Sequence, residues 1–144
     1  MNVRKIIGEK PIQTVETISA QETLSAAAAI LAQKKIGALI VADGRDGVAG
    51  ILSERDIVRR IAAEGGACLM SPVASAMTKT VIACEPTDTA HSVMEKMTAG
   101  RFRHMPVMEE GRLVGVISIG DVVKARMAEI VMENRAMEEM IKGN

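Results

Sequence analysis

Gly50-Ile51-Leu52-Ser53-Glu54-Arg55-Asp56-Ile57-Val58-Arg59 returns 65 residues later as Gly115-Val116-Ile117-Ser118-Ile119-Gly120-Asp121-Val122-Val123-Lys124. Apolar, polar and basic positions fall in the same order in both stretches. A repeat at this period means two copies of one supersecondary unit, neither able to bury its apolar face alone. Each stretch reads as an apolar strand running into a helix, with Ser-x-x-Asp at the junction. The repeat predicts a paired architecture with two equivalent crevices. The search for function starts at Ser53, Asp56, Ser118 and Asp121.

Working outward, Thr14 to Ile18 alternates and predicts a short strand. Ser19-Ala20-Gln21-Glu22 has the form of a capping box and predicts a helix to about Lys35. Leu24, Ala27, Ala28 and Leu31 give that helix one apolar face. Gly37 to Val41 and Val48 to Leu52, around Asp43-Gly44-Arg45-Asp46-Gly47, predict a hairpin. Ser53 opens a helix that stops at Gly65-Gly66. In the second copy Thr80 to Ala83 predicts the strand. Glu85-Pro86 is read as the helix start, because proline costs nothing at the first helical position. Met105 to Met108 and Leu113 to Ile117 form the second hairpin, around Glu109-Glu110-Gly111. The copies align at an offset of 66 before the hairpin turn and 65 after it, so one residue is lost where length varies most freely. Each copy is β-α-β-β-α, an α/β (α+β) fold. The expected domains are 8–66 and 78–130, joined by a linker over 67–77 and followed by a helical extension over 131–144.

That extension carries a second pattern. Val123, Met127, Ile130, Asn134, Met137 and Ile141 are spaced 4, 3, 4, 3, 4. This is a coiled-coil seam with Asn134 at an a position, where a buried polar residue fixes register and oligomer number. A homodimer is expected from it, the alternative being a long amphipathic helix that lies on its own domain.

Composition removes several classes of function. The 144 residues carry 18 basic and 18 acidic side chains, and the formal net charge is zero. Nothing draws the chain globally to nucleic acid or to an anionic membrane. Phe102 is the one aromatic residue, so no platform exists for stacking bases. No apolar run approaches the length of a membrane span. Cys68 and Cys84 lack metal-ligand or CxxC spacing and read as buried free thiols of a reducing cytoplasm. No metal site is expected.

As single copies, Ser53-x-x-Asp56 and Ser118-x-x-Asp121 are helix caps suited to the helix dipole. Duplicated, they suggest more. Free N–H groups at a helix start attract phosphate. A carboxylate one turn in can take both hydroxyls of a ribose.

The order Thr-Val, helix, apolar strand, hairpin, then Gly-h-h-Ser-x-x-Asp-h-h (h apolar) resembles the CBS domain, present twice as in a Bateman module. The resemblance spans roughly Lys10 to Met127. It is most specific over Arg103-His104-Met105-Pro106-Val107 and Gly111 to Val123. With no catalytic domain attached, the chain is similar to the small stand-alone bacterial CBS-pair proteins. The resemblance implies that Asp56 and Asp121 bind ribose hydroxyls and that Ser53 and Ser118 lie at the ribose-phosphate side. It implies that Thr14-Val15 and Thr80-Val81 flank adenine. The opposite walls are Ala38-Leu39-Ile40 and, after Arg103, His104-Met105-Pro106. The first copy lacks the proline of that wall. Arg55, Arg59, Arg101, Arg103 and His104 are phosphate candidates. The implied ligand is AMP, ADP or ATP, with NAD(H) as a further candidate through its adenosine half.

The expected function is a regulatory nucleotide sensor acting on an unknown protein partner or on its own dimer. A structural dimer with vestigial pockets is the alternative. An enzyme is disfavoured, since no nucleophile–base–orienter set is visible.

Overall fold

The computed structural model describes residues 1–10, 15–44 and 47–143. Helix α1 (Val3–Gly8) is followed by β1 (Thr17–Ser19), α2 (Leu24–Lys34), β2 (Ala38–Asp43), β3 (Gly47–Ser53) and α3 (Glu54–Glu64). Two 3-10 turns, Gly66–Met70 and Val73–Ser75, lead to α4 (Ala90–Gly100), β4 (His104–Glu109), β5 (Arg112–Ser118) and α5 (Ile119–Ile141). The strands form one sheet of order β1-β2-β3 and a second of β4-β5. The mixed α/β fold expected from the repeat is the one observed. The chain divides into two compact units. Residues 14–82 with 110–114 make the first-repeat unit, and residues 1–13, 83–109 and 115–144 make the second.

The repeat is legible in the cores residue by residue. Ile18, Leu24, Ala27, Leu31, Leu39 and Val41 of the first core are matched 66 positions on by Cys84, Ala90, Val93, Met97, Met105 and Val107. Leu52 and Ile57 are matched by Ile117 and Val122 at 65. Volume is exchanged between neighbours: Leu24 becomes Ala90 while Ala27 becomes Val93. Total packing is thereby kept, as dense cores require. The residue lost between copies is in the hairpin loop. Three residues separate β2 from β3, and two, Glu110-Gly111, separate β4 from β5. Glu110 and Gly111 have φ of 51° and 78°, the two left-handed positions of a type I′ turn. The turn expected over Asp43–Gly47 includes Arg45 and Asp46, which lie outside the described residues.

Both first helices begin later than the sequence suggested. The N-caps are Thr23 and Thr89, whose hydroxyls accept the N–H groups of Ala26 and Ser92 at 3.1 Å. Ser19 instead spends its hydroxyl on the Gln21 side chain (2.7 Å). Pro86 sits in a turn closed by Asp88 N–H donating to Glu85 O. Both helices end in the left-handed region, at Lys35 and Arg101.

The strand expected at Thr80–Ala83 is absent. In the first repeat β1 runs parallel to β2, and Ile40 N–H donates to Glu16 O at 3.2 Å. The residue corresponding to Ile40 is Pro106, which has no N–H to give. The second repeat keeps a single bridge, Cys84 to Val107, held by Cys84 N–H on Pro106 O and Met108 N–H on Cys84 O.

Each core is closed by one further segment, and the two segments correspond at an offset of 70. Val73 N–H donates to Glu22 O, as Val3 N–H does to Asp88 O. Leu24 N–H reaches Ser71 O, as Ala90 N–H reaches Met1 O. Ala74 N–H reaches Ala20 O, as Arg4 N–H reaches Pro86 O. Val73 and Val3 are both fully buried. Residues 67–77, read as a linker, therefore pad the first repeat, while α1 pads the second.

Candidate functional site

Each repeat builds one Ser-x-x-Asp junction, and both are complete capping boxes. Asp56 Oδ2 accepts Ser53 N–H (2.8 Å) and the Ser53 hydroxyl (3.0 Å), while Asp56 N–H donates to Ser53 Oγ (3.3 Å). Asp121 Oδ2 accepts Ser118 N–H (2.9 Å), and Asp121 N–H donates to Ser118 Oγ (3.1 Å). In both repeats one carboxylate oxygen is committed to the cap. Among the described residues no hydrogen bond reaches the other, Oδ1. Both aspartates are half-buried, so Oδ1 is an acceptor held in a fixed direction at a helix start.

The helix starts are tied to the wall strands in the same way. Glu54 N–H donates to Gly37 O (3.0 Å), and Ile119 N–H donates to Arg103 O (2.8 Å). Each junction is thereby held beside the first residue of β2 or β4. Along those strands Leu39, Val41, Met105 and Val107 enter their own cores. Ile40 and Pro106 alternate to the opposite face and are nonetheless buried.

Within the first-repeat unit the structure brings together Ala38, Leu39, Ile40, Ser53 and Asp56. Val15 is half-buried and lies one residue before Glu16, whose carbonyl pairs with Ile40. Thr14 lies outside the described residues. Arg55 and Arg59 are exposed on α3. Within the second unit Arg103, His104, Met105, Pro106, Ser118 and Asp121 share the β4–β5–α5 framework. Thr80 and Val81 belong to the first-repeat unit. Arg101 and Arg103 are exposed, flanking Phe102, which packs against the second core. The Phe102 ring lies over Gly100, where a Cβ would come within 2.3 Å of it.

One polar residue at the second junction escaped the sequence reading. Lys10 Nζ lies 3.1 Å from Asp121 Oδ2 and donates to Val116 O at 2.9 Å. No local pattern announces it, since Lys10 and Val116 are 106 residues apart. No group of three or more metal-ligating side chains is present among the described residues. Nor is any helix there long and apolar enough to cross a membrane.

Two half-buried carboxylates at duplicated helix starts, each beside a buried wall strand, are thus the feature the two repeats share. The CBS domain matches residues 3–63 and 73–128, and the chain belongs to the CBS-domain family. It is similar to the CBS-domain protein ATU1752 of Agrobacterium tumefaciens. That likeness has 46% identity and a TM-score of 0.83, covering 88% of this chain and 99% of that one. It is also similar to the mitochondrial CBS-domain protein CBSX3 of Arabidopsis thaliana, with 32% identity over 85% of this chain. The chain spans 61% of that relative's length. A likeness of fold extends to the CBS pair of protein MJ0100 (TM-score 0.78, 23% identity, 90% and 98% coverage). That structure holds 5′-methylthioadenosine and S-adenosyl-L-methionine.

Proposed function

We propose that this protein is a regulatory sensor of adenine nucleotides (AMP, ADP or ATP, with NAD(H) as a further candidate). Occupancy of its two repeats would be passed to a protein partner or to its own dimer. The observation that carries the reading is the duplicated Asp carboxylate with Oδ2 fixed by a cap and Oδ1 without a hydrogen bond among the described residues. That oxygen can accept two hydroxyl hydrogens of a ribose, since carboxylate oxygens have two lone pairs each. Ile40 and Pro106 supply apolar wall for a base, and Arg55, Arg59, Arg101 and Arg103 supply exposed cations for phosphate. The adenosyl ligands held by the MJ0100 pair support the same ligand class. The buried, unpaired thiols Cys68 and Cys84 suit a cytoplasmic setting. No chemical step is assigned to the site. Signalling would follow from unequal affinity of the ligand for two conformations.

The test is calorimetric titration of AMP, ADP, ATP, NAD, NADH and GMP. Adenine nucleotides should bind selectively, and ligand at about 100 times its dissociation constant should stabilise the fold by about 2.7 kcal/mol. Asp56→Ala combined with Asp121→Ala should abolish binding while the chain stays folded. Equal affinity for GMP and AMP, or retained affinity in the double variant, sinks the assignment.

A second reading rests on α5. Met127, Met137, Met140 and Ile141 are 60–81% exposed, and Val122 and Ala125 are the helix's buried residues. The Val123-to-Ile141 seam is thus open, and we assign it to a second copy of the chain, since its a/d spacing is self-complementary. An amphipathic membrane helix would carry Lys and Arg on its polar face. This one carries Asp121, Glu129, Glu133, Glu138 and Glu139 against Lys124, Arg126 and Arg135.

A further inference from the structure

The match to the CBS domain ends at residue 128, whereas α5 continues to Ile141. The helix is anchored at its start. Val122 and Ala125 are buried in the second core, and Ile119 packs against it. Glu129 is the last half-buried residue, and from Ile130 to Ile141 every residue is exposed. The alternative of a helix lying on its own domain is thus met only as far as Glu129. A free run of twelve residues is marginal as an isolated helix in water, and this one presents Ile130, Val131, Met132, Met137, Met140 and Ile141. The seam also points outward. In the heptad that puts Asn134 at a, Val122 and Ala125 occupy c and f, on the side of the helix opposite a and d. α5 turns one side to its own core and the Val123-to-Ile141 seam away from it.

We propose that two copies join through α5 as a parallel two-stranded coiled coil, with Asn134 against the partner's Asn134. The proposal rests on the assignment of α5 to a second copy made above, and it fixes the sense of that pairing. The 4, 3, 4, 3, 4 spacing reads the same in both directions, so apolar residues meet apolar residues either way. The polar positions decide. In a parallel pair the two Asn134 amides share one a layer, where one can donate to the other. In an antiparallel pair each Asn134 faces the partner's Ile130, and both amides are buried without a partner.

Charge pulls the other way. Parallel pairing sets Glu133, at g, beside the partner's Glu138, at e, on both sides of the seam. Antiparallel pairing sets Lys124 against the partner's Glu138 twice and Glu133 against the partner's Glu133 once. A buried amide without a partner costs several times as much as a like-charge pair at the surface. The asparagines therefore set the direction, and the glutamates leave the parallel pair weaker than its apolar layers alone would make it. Both second-repeat units are then carried at one end of the stalk, with Met140 and Ile141 at the other.

The experiment is sedimentation equilibrium of the full chain without nucleotide, which gives the dimer constant. Glu138→Lys turns both glutamate pairs into opposite-charge pairs and should tighten a parallel dimer about tenfold. It should weaken an antiparallel one, where the new lysine faces Lys124. Adding Glu133→Lys to Glu138→Lys makes both pairs like-charged again and should return the constant to near that of the wild type. Asn134→Cys should give a disulfide-linked dimer under mild oxidation, since two residues of one a layer are within disulfide reach. In an antiparallel pair the same residues are offset by four positions, about 6 Å of rise added to the gap between helices, and cannot link. Cys68 and Cys84 are buried and give the parent no such link. No link at 134, or weaker pairing in Glu138→Lys, overturns the parallel sense and leaves α5 as the surface between copies so long as Glu138→Lys moves the constant. A monomeric wild-type chain, or a dimer that none of these substitutions affects, overturns both.

Discussion

The first repeat is closed by the chain that follows it, and the second by chain that precedes both repeats. Ser71 to Met77 joins the first core soon after α3 ends, whereas Met1 to Ile7 reaches the second core across more than eighty residues. The bonds made are the same, down to corresponding carbonyls. What differs is the entropy of closure, which grows only slowly with loop length. Two nearly equal units can therefore be built from very different connections, and each reports separately on its own pad.

The largest expected effect comes from charging a pad. Val3→Asp and Val73→Asp each bury an unpaired carboxylate at a fully buried position. Each should cost about 4 kcal/mol or more. Hydrogen exchange resolved by residue should show Val3→Asp opening 83–109 while 24–64 stays protected, and Val73→Asp the reverse. Simultaneous loss of both units in either variant breaks the picture of separate closure.

The next contrast uses the paired glycines Gly50 and Gly115. A Cβ at Gly50 would lie 2.7 Å from Thr78 O and 2.9 Å from Met77 Sδ. At Gly115 it would meet Ile7 Cδ1 at 3.2 Å, the tip of a flexible side chain. Gly50→Ala should cost about 2 kcal/mol, since backbone must shift, and Gly115→Ala under about 1 kcal/mol. Urea melts of the two variants measure the difference, and equal costs would mean that the pads yield equally.

A smaller effect separates the repeats in alkali. Burial pushes the Cys84 thiol up from 9.0 to about 12, and the nearby Asp88 adds to the rise. The folded chain holds this proton more tightly than the unfolded one. Stability from it is complete below pH 9 and declines as pH rises from 9 toward 12, by at most about 1.4 kcal/mol per pH unit. Ile18 occupies the corresponding place in the first repeat and cannot ionise. Cys84→Val should flatten the dependence of urea midpoints between pH 8 and 10.5, and an unchanged slope would assign it to another group.

The smallest expected change in stability, about 1 kcal/mol or less, comes with the clearest change in mass. α3 ends at Glu64, but its counterpart α5 continues to Ile141 with its seam open. Asn134→Leu should raise the melting temperature slightly and alter the oligomer measured by light scattering, because the polar layer that sets register is removed. Unchanged mass and stability would leave α5 without a self-pairing role.

Much of this comparison was legible in the sequence. The hairpins, both Ser-x-x-Asp caps and the change of offset in the turn follow from local patterns of two to ten residues. The starts of α2 and α4 were misread because Ser19 and Pro86 are good helix openers in isolation. The spaced pair Thr23 and Thr89 was the available signal. Loss of the Thr80–Ala83 strand was also encoded, at Pro106, but only through the missing bond between two distant segments. The pad of the second repeat and the place of Lys10 had no local signature at all. Those features depend on which stretch of chain docks where, and periodicity is silent about docking. At the site, the caps and wall strands were readable, whereas the cation at Asp121 was not.

The crossing of α1 onto the second core has a consequence for how the protein is made. Residues 3–8 leave the ribosome before their partners at 86–90, which follow some eighty residues later. At ordinary synthesis rates of about 5–20 residues per second, that is an interval of several seconds. Through it, the first repeat can complete its own core with Ser71 to Met77, while Val3 and Ile6 wait unplaced. A segment made before the first repeat is thus settled after it. A nascent chain stalled between the repeats would be half folded with a greasy segment exposed, a form that chaperones and proteases can tell from the finished protein.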